Sequence, residues 1–546
     1  MKPLLLIASI CIVTMASCTK NFTEHDSELI DEKNNQQTEC YYWSGDKKVY
    51  LTLQQDNSFV LFRGEDRYSI VNPDKMDYRI FKTARLQTDA IPRNSLTRVS
   101  DSDDILWAVG ATRGFNLENA DVLYCSNGYK NAIGVDVFAS HIFYVKLKDA
   151  ADYSLLESFC DKNDVEILGP FADLDLWFRL ACTNRSECDA VSMSVRFYES
   201  GLFRYAEPDI ICGLVPCSKP FNSYPEYELP ANVNTEMLPN DSLFPYQWYL
   251  HNPNGYDINY LAARDITQGD GNITVMVLDV IGFTYGHPDL PRYLDVYATE
   301  NLDIGSSGGY HGTDCVGIIG AVTNNQRGIA GIAPDCKIIF KKVDMYPGVD
   351  KCLNLYKALM SAVGVADVLS CSFAFSPERY SEESVIMHET FFKLKRQGRP
   401  HCGYDGEIGC VIVFAAGNTD QPNNYLADLA SISVAAMTKS GTKHNESLLG
   451  LIVAPGENIC TTTTMLARNA EPYSTTPVYN FNFSHTSSAC PQVAAVAALV
   501  LSLDPYLQED EVASIIISTA RKLSAPDTGV GLLDAGAALQ EVLRRI

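Results

Sequence analysis

Four residues at the borders of apolar runs carry side chains that together could perform nucleophilic catalysis. Asp279 ends ITVMVLD, His311 opens HGTDCVGIIGA, Asn418 closes CVIVFAAGN, and Ser487 lies in FSHTSSACPQVAAVAALV. A serine hydroxyl becomes an effective nucleophile beside a base, and that base needs a carboxylate to orient it. The negative oxygen that develops in an acyl transfer needs hydrogen-bond donors. The chain offers one candidate for each role. Singly, each has a plainer reading: a strand-terminal Asp is a cap, Gly-Asn is a turn, and a His beside Gly is structural.

The surrounding elements would have to bring these four together. Pro491 is tolerated in the first turn of a helix, and Ala494, Ala495, Ala497 and Ala498 let such a helix lie buried. Ser487 is therefore expected at the mouth of a buried helix, facing unpaired N–H groups and the positive end of its dipole. ITVMVLD, KIIFKKV, VADVLSCSF, GCVIVFAAGN and SISVAAM are short, β-branched runs, most without in/out alternation. Such strands are buried on both faces, as in a parallel sheet covered by helices. DPYLQEDEVASIIISTARKL predicts a helix with acids in its first turn and Arg521 and Lys522 in its last. In an α/β domain of this kind, ligands gather at the carboxyl ends of the strands.

Residues 240–546 resemble a subtilisin-like serine protease (a subtilase) of the S8 peptidases. VLDVIGFTYGHPDL is similar to the aspartate motif, HGTDCVGIIGA to the histidine motif, FAAGN to the oxyanion strand and HTSSACPQVAAVAAL to the serine motif. LFPYQWYLHN, GIAGIAPDCKI, VAPGENI and GVGLLDAGAAL are further landmarks. The order Asp, His, Ser is that of subtilisin rather than chymotrypsin or the α/β-hydrolases. The resemblance implies a three-layer α/β domain and a serine endopeptidase acting on proteins or peptides. Ser487 would be the nucleophile, His311 the base and then the acid, and Asp279 its orienting partner. Asn418 and the Ser487 N–H would hold the oxyanion. Ser372, Phe373 and Ala374 fall where substrate pairs, and Asp289 where some subtilases bind Ca²⁺; no cofactor is otherwise required.

Three positions depart from the family pattern. His485 stands where Gly precedes Thr-Ser, so strain or a shifted turn is expected, and its imidazole could compete with His311 for the serine. Val280-Ile281 replaces the short hydroxyl-bearing link to Gly282. Ala374-Phe375 replaces glycines, and the phenylalanine could wall off part of the cleft. The alternative to a working enzyme is an inactive subtilase fold that binds peptides or partners, or a surface adhesion or interaction protein that uses the N-terminal β-rich region with the protease fold as scaffold.

MKPLLLIASICIVTMASC reads as a signal peptide, residues 1–18, whose MASC ending resembles a bacterial lipobox. Lipid on Cys18 would anchor the protein at the outer membrane or cell surface of a bacterium. Residues 19–40 read as a tether, and 41–133 as β-rich with no assignable chemistry. Residues 141–210 give the order βαββαβ of a ferredoxin-like unit. In subtilases that place belongs to an inhibitory propeptide. Residues 211–239, with Pro216, Pro220, Pro225, Pro230 and Pro239, read as an extended, exposed linker open to cutting.

The formal charge of −24 argues against a nucleic-acid partner. Cys182/Cys188, Cys212/Cys217 and Cys402/Cys410 are close enough in sequence to staple loops. Cys315, Cys371 and Cys490 read as buried core residues. No paired CxxC with zinc spacing occurs.

Overall fold

A computed structural model describes residues 39–63, 70, 105–217, 238–283, 287–291, 295–297, 311–344, 348–376, 384–399, 408–419, 424–463, 479–525 and 528–546. The signal peptide with Cys18, most of the tether, residues 218–237 and Cys402 lie outside them.

The N-terminal half is one continuous sheet. Strands β1 (Glu39–Ser44), β2 (Lys47–Arg63), β3 (Ile105–Ala111), β4 (Val122–Lys130) and β5 (Asp136–Lys146) join by antiparallel pairing, β3 on the β2 edge. Within β2 the apolar runs KVYLTLQ and FVLF form one continuous strand. The polar QQDN between them is absorbed by a register shift against β4 between Gln54 and Ser58.

β5 then opens a second unit: α1 (Tyr153–Lys162), β6 (Val165–Pro170), β7 (Trp177–Cys182), α2 (Ala190–Glu199) and β8 (Tyr205–Ile210). Its strands run β8-β5-β7-β6, each pair antiparallel, which is the ferredoxin-like order. The helices bury one stripe each, through Leu156 and Cys160 in α1 and Met193 and Phe197 in α2.

The chain then continues as β9 (Leu214–Pro216). The reading of 211–239 as an exposed linker fails over its first part. Ile211, Cys212, Leu214 and Cys217 are buried, because β9 pairs with a strand of the C-terminal domain.

That domain is built on β10 (Thr274–Asp279), β11 (Asp295–Tyr297), β12 (Lys337–Lys342), β13 (Val368–Cys371), β15 (Val411–Ala415), β16 (Ile432–Met437) and β17 (Ile452–Pro455). They form a parallel sheet in the order β11-β12-β10-β13-β15-β16-β17. Two antiparallel pairs complete it: β14 (Phe373–Phe375) with β9, and β18 (Ile459–Thr462) with β19 (Tyr479–Phe483). Every residue of β10, β13, β15, β16 and β17 is buried, which is why those runs lack alternation.

Helices α3 (His311–Gly320), α4 (Lys351–Met360), α5 (Val385–Leu394), α6 (Thr486–Leu503), α7 (Glu509–Ser518) and α8 (Ala535–Arg545) cover the sheet. Among the described residues α6 alone is long and apolar enough to cross a membrane, and the domain encloses it. It starts at Thr486, so Pro491 sits in its second turn, not its first. α7 stops at Ser518, short of Arg521 and Lys522. Arg521 instead pairs with Asp534 at 3.1 Å, and its guanidinium donates to the Gly255 carbonyl at 2.7 Å.

The N-terminal half docks on the first turns of α4 and α5. Ser384 Oγ and the N–H of Val385 donate to the Glu207 carboxylate at 2.8 and 3.3 Å. Asp209 Oδ2 accepts from the Asp350 N–H at 2.7 Å, and Tyr144 bridges Asp209 and Asp350 at 2.9 and 3.0 Å. Carboxylates at these helix starts satisfy N–H groups that have no partner within the helix. The described cysteines are thiols, so the Cys182/Cys188 and Cys212/Cys217 staples are not formed; the Cys402/Cys410 pair involves a residue outside the described ones.

Candidate active site

Asp279 is the last residue of β10 and is fully buried. Its Oδ1 accepts from the Ile281 N–H at 2.9 Å, so the Val280-Ile281 departure still closes a turn on the carboxylate. Its Oδ2 lies 2.7 Å from His311 Nδ1.

His311 opens α3 over a tight crossing. A Cβ on Gly312 would fall 2.4 Å from the Phe340 ring and 2.8 Å from the Ile281 carbonyl, so only glycine fits there. His311 Nε2 is 2.8 Å from Ser487 Oγ. The carboxylate on Nδ1 fixes the tautomer: Nδ1 carries the proton and Nε2 accepts from the serine. Ser372 O, at 3.2 Å from Ser487 Oγ, is the alternative acceptor for that single proton. Burial alone pushes the imidazolium down. The Asp279 charge and hydrogen bond, with Asp314 behind them, outweigh it and leave the His311 pKa raised above 6.5.

Ser487 is the second residue of α6 and fully buried. Asn418 follows Gly417, whose φ of 98° makes the sharp turn off β15. Asn418 Oδ1 accepts from Thr486 Oγ1 at 3.1 Å and the Thr486 N–H at 3.4 Å, which fixes the orientation of its amide. The four candidate residues thus converge, as the motifs imply.

The cleft is filled by this chain's own residues. β9 lies antiparallel on β14, with Phe373 opposite Pro216, Ala374 opposite Val215 and Phe375 opposite Leu214. Beyond the ladder, the Cys217 N–H donates to Ser372 O at 2.9 Å, and Cys217 O accepts from the Ser487 N–H at 3.0 Å. Ser372, Phe373 and Ala374 therefore hold a peptide strand. Phe375 does not wall off the cleft, since its ring stacks on Tyr425 while its backbone extends the ladder. Asn424, which sequence reading missed, anchors β14 by donating to the carbonyls of Phe373 and Ala415 at 3.1 and 2.8 Å. No local pattern marks it.

His485 adopts φ 71° and ψ −161°. The turn keeps a glycine conformation with a histidine in it, at a cost on the order of 1–3 kcal/mol. Its imidazole does not compete for the serine. Its Nε2 lies 2.6 Å from Glu446.

Asp289 lies apart from these residues. It is fully buried; its Oδ1 accepts from Asn325 Nδ2 at 2.7 Å and its Oδ2 from the Ile329 N–H at 2.8 Å. Burial pushes its carboxyl up to about 6. Asn325 Oδ1 is itself taken by the Arg327 N–H at 2.7 Å, so a cation such as Ca²⁺ would have to displace donors from the carboxylate to bind Asp289.

A parallel α/β sheet that delivers Asp, His and Ser to one point, in that chain order, defines a subtilisin-type serine hydrolase fold. Residues 270–534 match the Subtilase family, Peptidase_S8. Thermitase of Thermoactinomyces vulgaris is 30% identical over 300 residues, which cover 53% of this chain and 94% of thermitase. A calcium-dependent protease of Trichormus variabilis is 29% identical over 311 residues, 50% of this chain and 46% of that one. The chain thus spans about half the length of that relative. The crystal structure of fervidolysin from Fervidobacterium pennivorans superposes with a TM-score of 0.54 at 21% identity, over 74% of this chain and 61% of that one. The chain belongs to the subtilase family.

Proposed function

We propose that this chain is a serine endopeptidase made with its own inhibitor, and that it cuts itself after Cys217. The observation that carries this reading is the Cys217 carbonyl, held 3.0 Å from the Ser487 N–H by a strand paired in substrate register on β14. In such a reaction Ser487 Oγ attacks the Cys217 carbonyl carbon as His311 Nε2 takes its proton. Asp279 stabilises the imidazolium. The Ser487 N–H and the Asn418 amide receive the negative oxygen, a side-chain donor of this kind contributing roughly 3–4 kcal/mol. His311 then protonates the leaving amine of Ser218, and water, activated by the same imidazole, releases the acyl group. Leu214 to Cys217 would afterwards occupy the cleft as a product, so residues 141–217 inhibit until they leave.

Proteins or peptides that can lie extended on β14 are the substrate class of this reading. Ca²⁺ would be structural, with the Asp289 carboxylate its candidate ligand once the donors now on it are displaced. The relative named a calcium-dependent protease supports a calcium requirement in general, not a particular ligand set. Lipidation of Cys18 and residence at the bacterial envelope rest on the MASC ending; incorporation of labelled fatty acid into wild type and not Cys18→Ala tests them.

The deciding experiment compares wild type with Ser487→Ala by intact mass and terminal sequencing, with a fluorophosphonate to label the serine. Wild type should yield a new N-terminus at Ser218 and an adduct on Ser487, while Ser487→Ala stays whole and unlabelled. Wild-type protein that stays whole and unlabelled, or that is cut equally in Ser487→Ala, overturns the reading in favour of a binding module.

A further inference from the structure

The turn before Ser487 holds a second group of ionisable side chains that this chemistry does not use. His485 Nε2 is 2.6 Å from Glu446 Oε2, and the His444 ring meets the His485 ring edge to face with centroids 4.9 Å apart. One ligating atom from each of His444, Glu446 and His485 lies within 4.8 Å of the other two. His485 is buried, and His444 and Glu446 are half-buried, so the cluster is reachable from solvent while shielded on one side. The neighbouring Lys443 ammonium is tied to the carbonyls of His444 and Ser447 at 3.2 and 2.7 Å.

We propose that His444, Glu446 and His485 bind a divalent transition-metal ion, with Zn²⁺ the best match. Two imidazoles and one carboxylate are a zinc ligand set, with water completing a tetrahedron. To bind, the ion takes the place of the proton shared by His485 and Glu446. Where His444 Nδ1 is the ligand atom, the ion also displaces the 3.2 Å hydrogen bond from the Glu446 N–H.

The position gives such an ion a structural role. Glu446 O accepts from the Thr419 N–H at 2.8 Å, and Ser447 forms a β-bridge with Asn418. His485 directly precedes Thr486, which holds the Asn418 amide. The ion would clamp together the two segments that carry the oxyanion donors. It also supplies a reason for histidine, rather than glycine, at a backbone conformation that favours glycine.

The test uses full-length Ser487→Ala protein, stripped with a chelator and titrated with Zn²⁺ alone, then with Co²⁺ as a spectroscopic substitute. The expected result is one tightly bound equivalent, a rise in thermal midpoint with Zn²⁺, and a four-coordinate Co²⁺ spectrum without a thiolate band. His485→Gly and Glu446→Gln in the same background should each weaken binding by more than the roughly 10–100-fold that loss of an outer-sphere partner costs. His485→Gly places the residue best suited to that backbone, so it is expected to fold, and circular dichroism checks this. Zinc binding unchanged in both variants, a thiolate band with Co²⁺, or no midpoint rise in the parent overturns the proposal. Since occupancy is read in protein without a nucleophile, a negative result leaves the protease reading untouched.

Discussion

Pro491 stands four residues beyond Ser487 in α6 and so removes the one N–H that the helix would offer the Ser487 carbonyl. Ser372 Oγ donates to that carbonyl at 3.3 Å instead, and the Cys315 thiol approaches it at 3.8 Å. The same Ser372 receives the Cys217 N–H on its own carbonyl, so one residue steadies both nucleophile and bound strand.

Ser372→Ala should therefore slow self-cleavage while leaving the fold intact. Loss of one buried hydrogen bond of about 1 kcal/mol corresponds to a fall of roughly fivefold, read as the rate at which the Ser218 N-terminus forms. An unchanged rate would show that the thiol contact suffices.

The raised pKa of His311 sets a pH dependence. The imidazole must be neutral to accept the serine proton, so self-cleavage rises with pH through a midpoint above the ordinary 6.5. Asp279→Asn removes the partner that raises the midpoint and fixes the tautomer, and should cost about 10⁴ in rate. Rates across pH 5–9 check both. A midpoint below 6.5 in wild type would contradict the assigned balance of charges.

Asp314 predicts a pH effect on stability. Burial pushes its carboxyl up to about 7; Asn480 donates to one oxygen at 2.8 Å, while the other has no hydrogen-bond partner. The folded form holds its proton more tightly than the unfolded chain, so stability falls as pH rises from about 4 to about 7. Asp314→Asn should remove that slope and stabilise the protein at pH 8 by on the order of 2–4 kcal/mol. Denaturant midpoints of Ser487→Ala with and without the substitution measure it, and a lower midpoint for the Asn variant at pH 8 would refute it.

Glu207 caps the start of α5 from the other half of the molecule. Glu207→Ala should speed departure of the cleaved N-terminal fragment by roughly 3–30-fold, the range of a lost helix cap. Size-exclusion chromatography at intervals after cleavage gives the rate. Equal rates would mean that the buried contacts around Tyr144 dominate the docking.

The chemical residues were legible because each lies in a short motif whose local meaning survives folding: a strand end, a turn after glycine, a helix start. What was not legible depends on residues far apart in sequence. Leu214 to Cys217 open a proline-punctuated stretch that reads as a linker, and the edge of β14 makes them a strand. Glu446 was invisible as the partner of His485. Arg521 looked like the basic end of a helix, but Asp534 and the carbonyl of Gly255 draw it away. A proline signals only that a helix has begun, so the sequence puts Pro491 in the first turn of α6 while the chain puts it in the second.

β5 belongs at once to the N-terminal meander and to the ferredoxin-like unit, so the two cannot part without breaking a shared strand. A cut after Cys217 therefore divides the molecule into two bodies of unequal fate. Whatever is fastened ahead of Glu39 would stay with the N-terminal fragment. Under the proposed self-cleavage, the catalytic domain would be held only by the docking contacts of Glu207, Asp209 and Tyr144, and the cut that opens its cleft would also be the cut that frees it from any anchor.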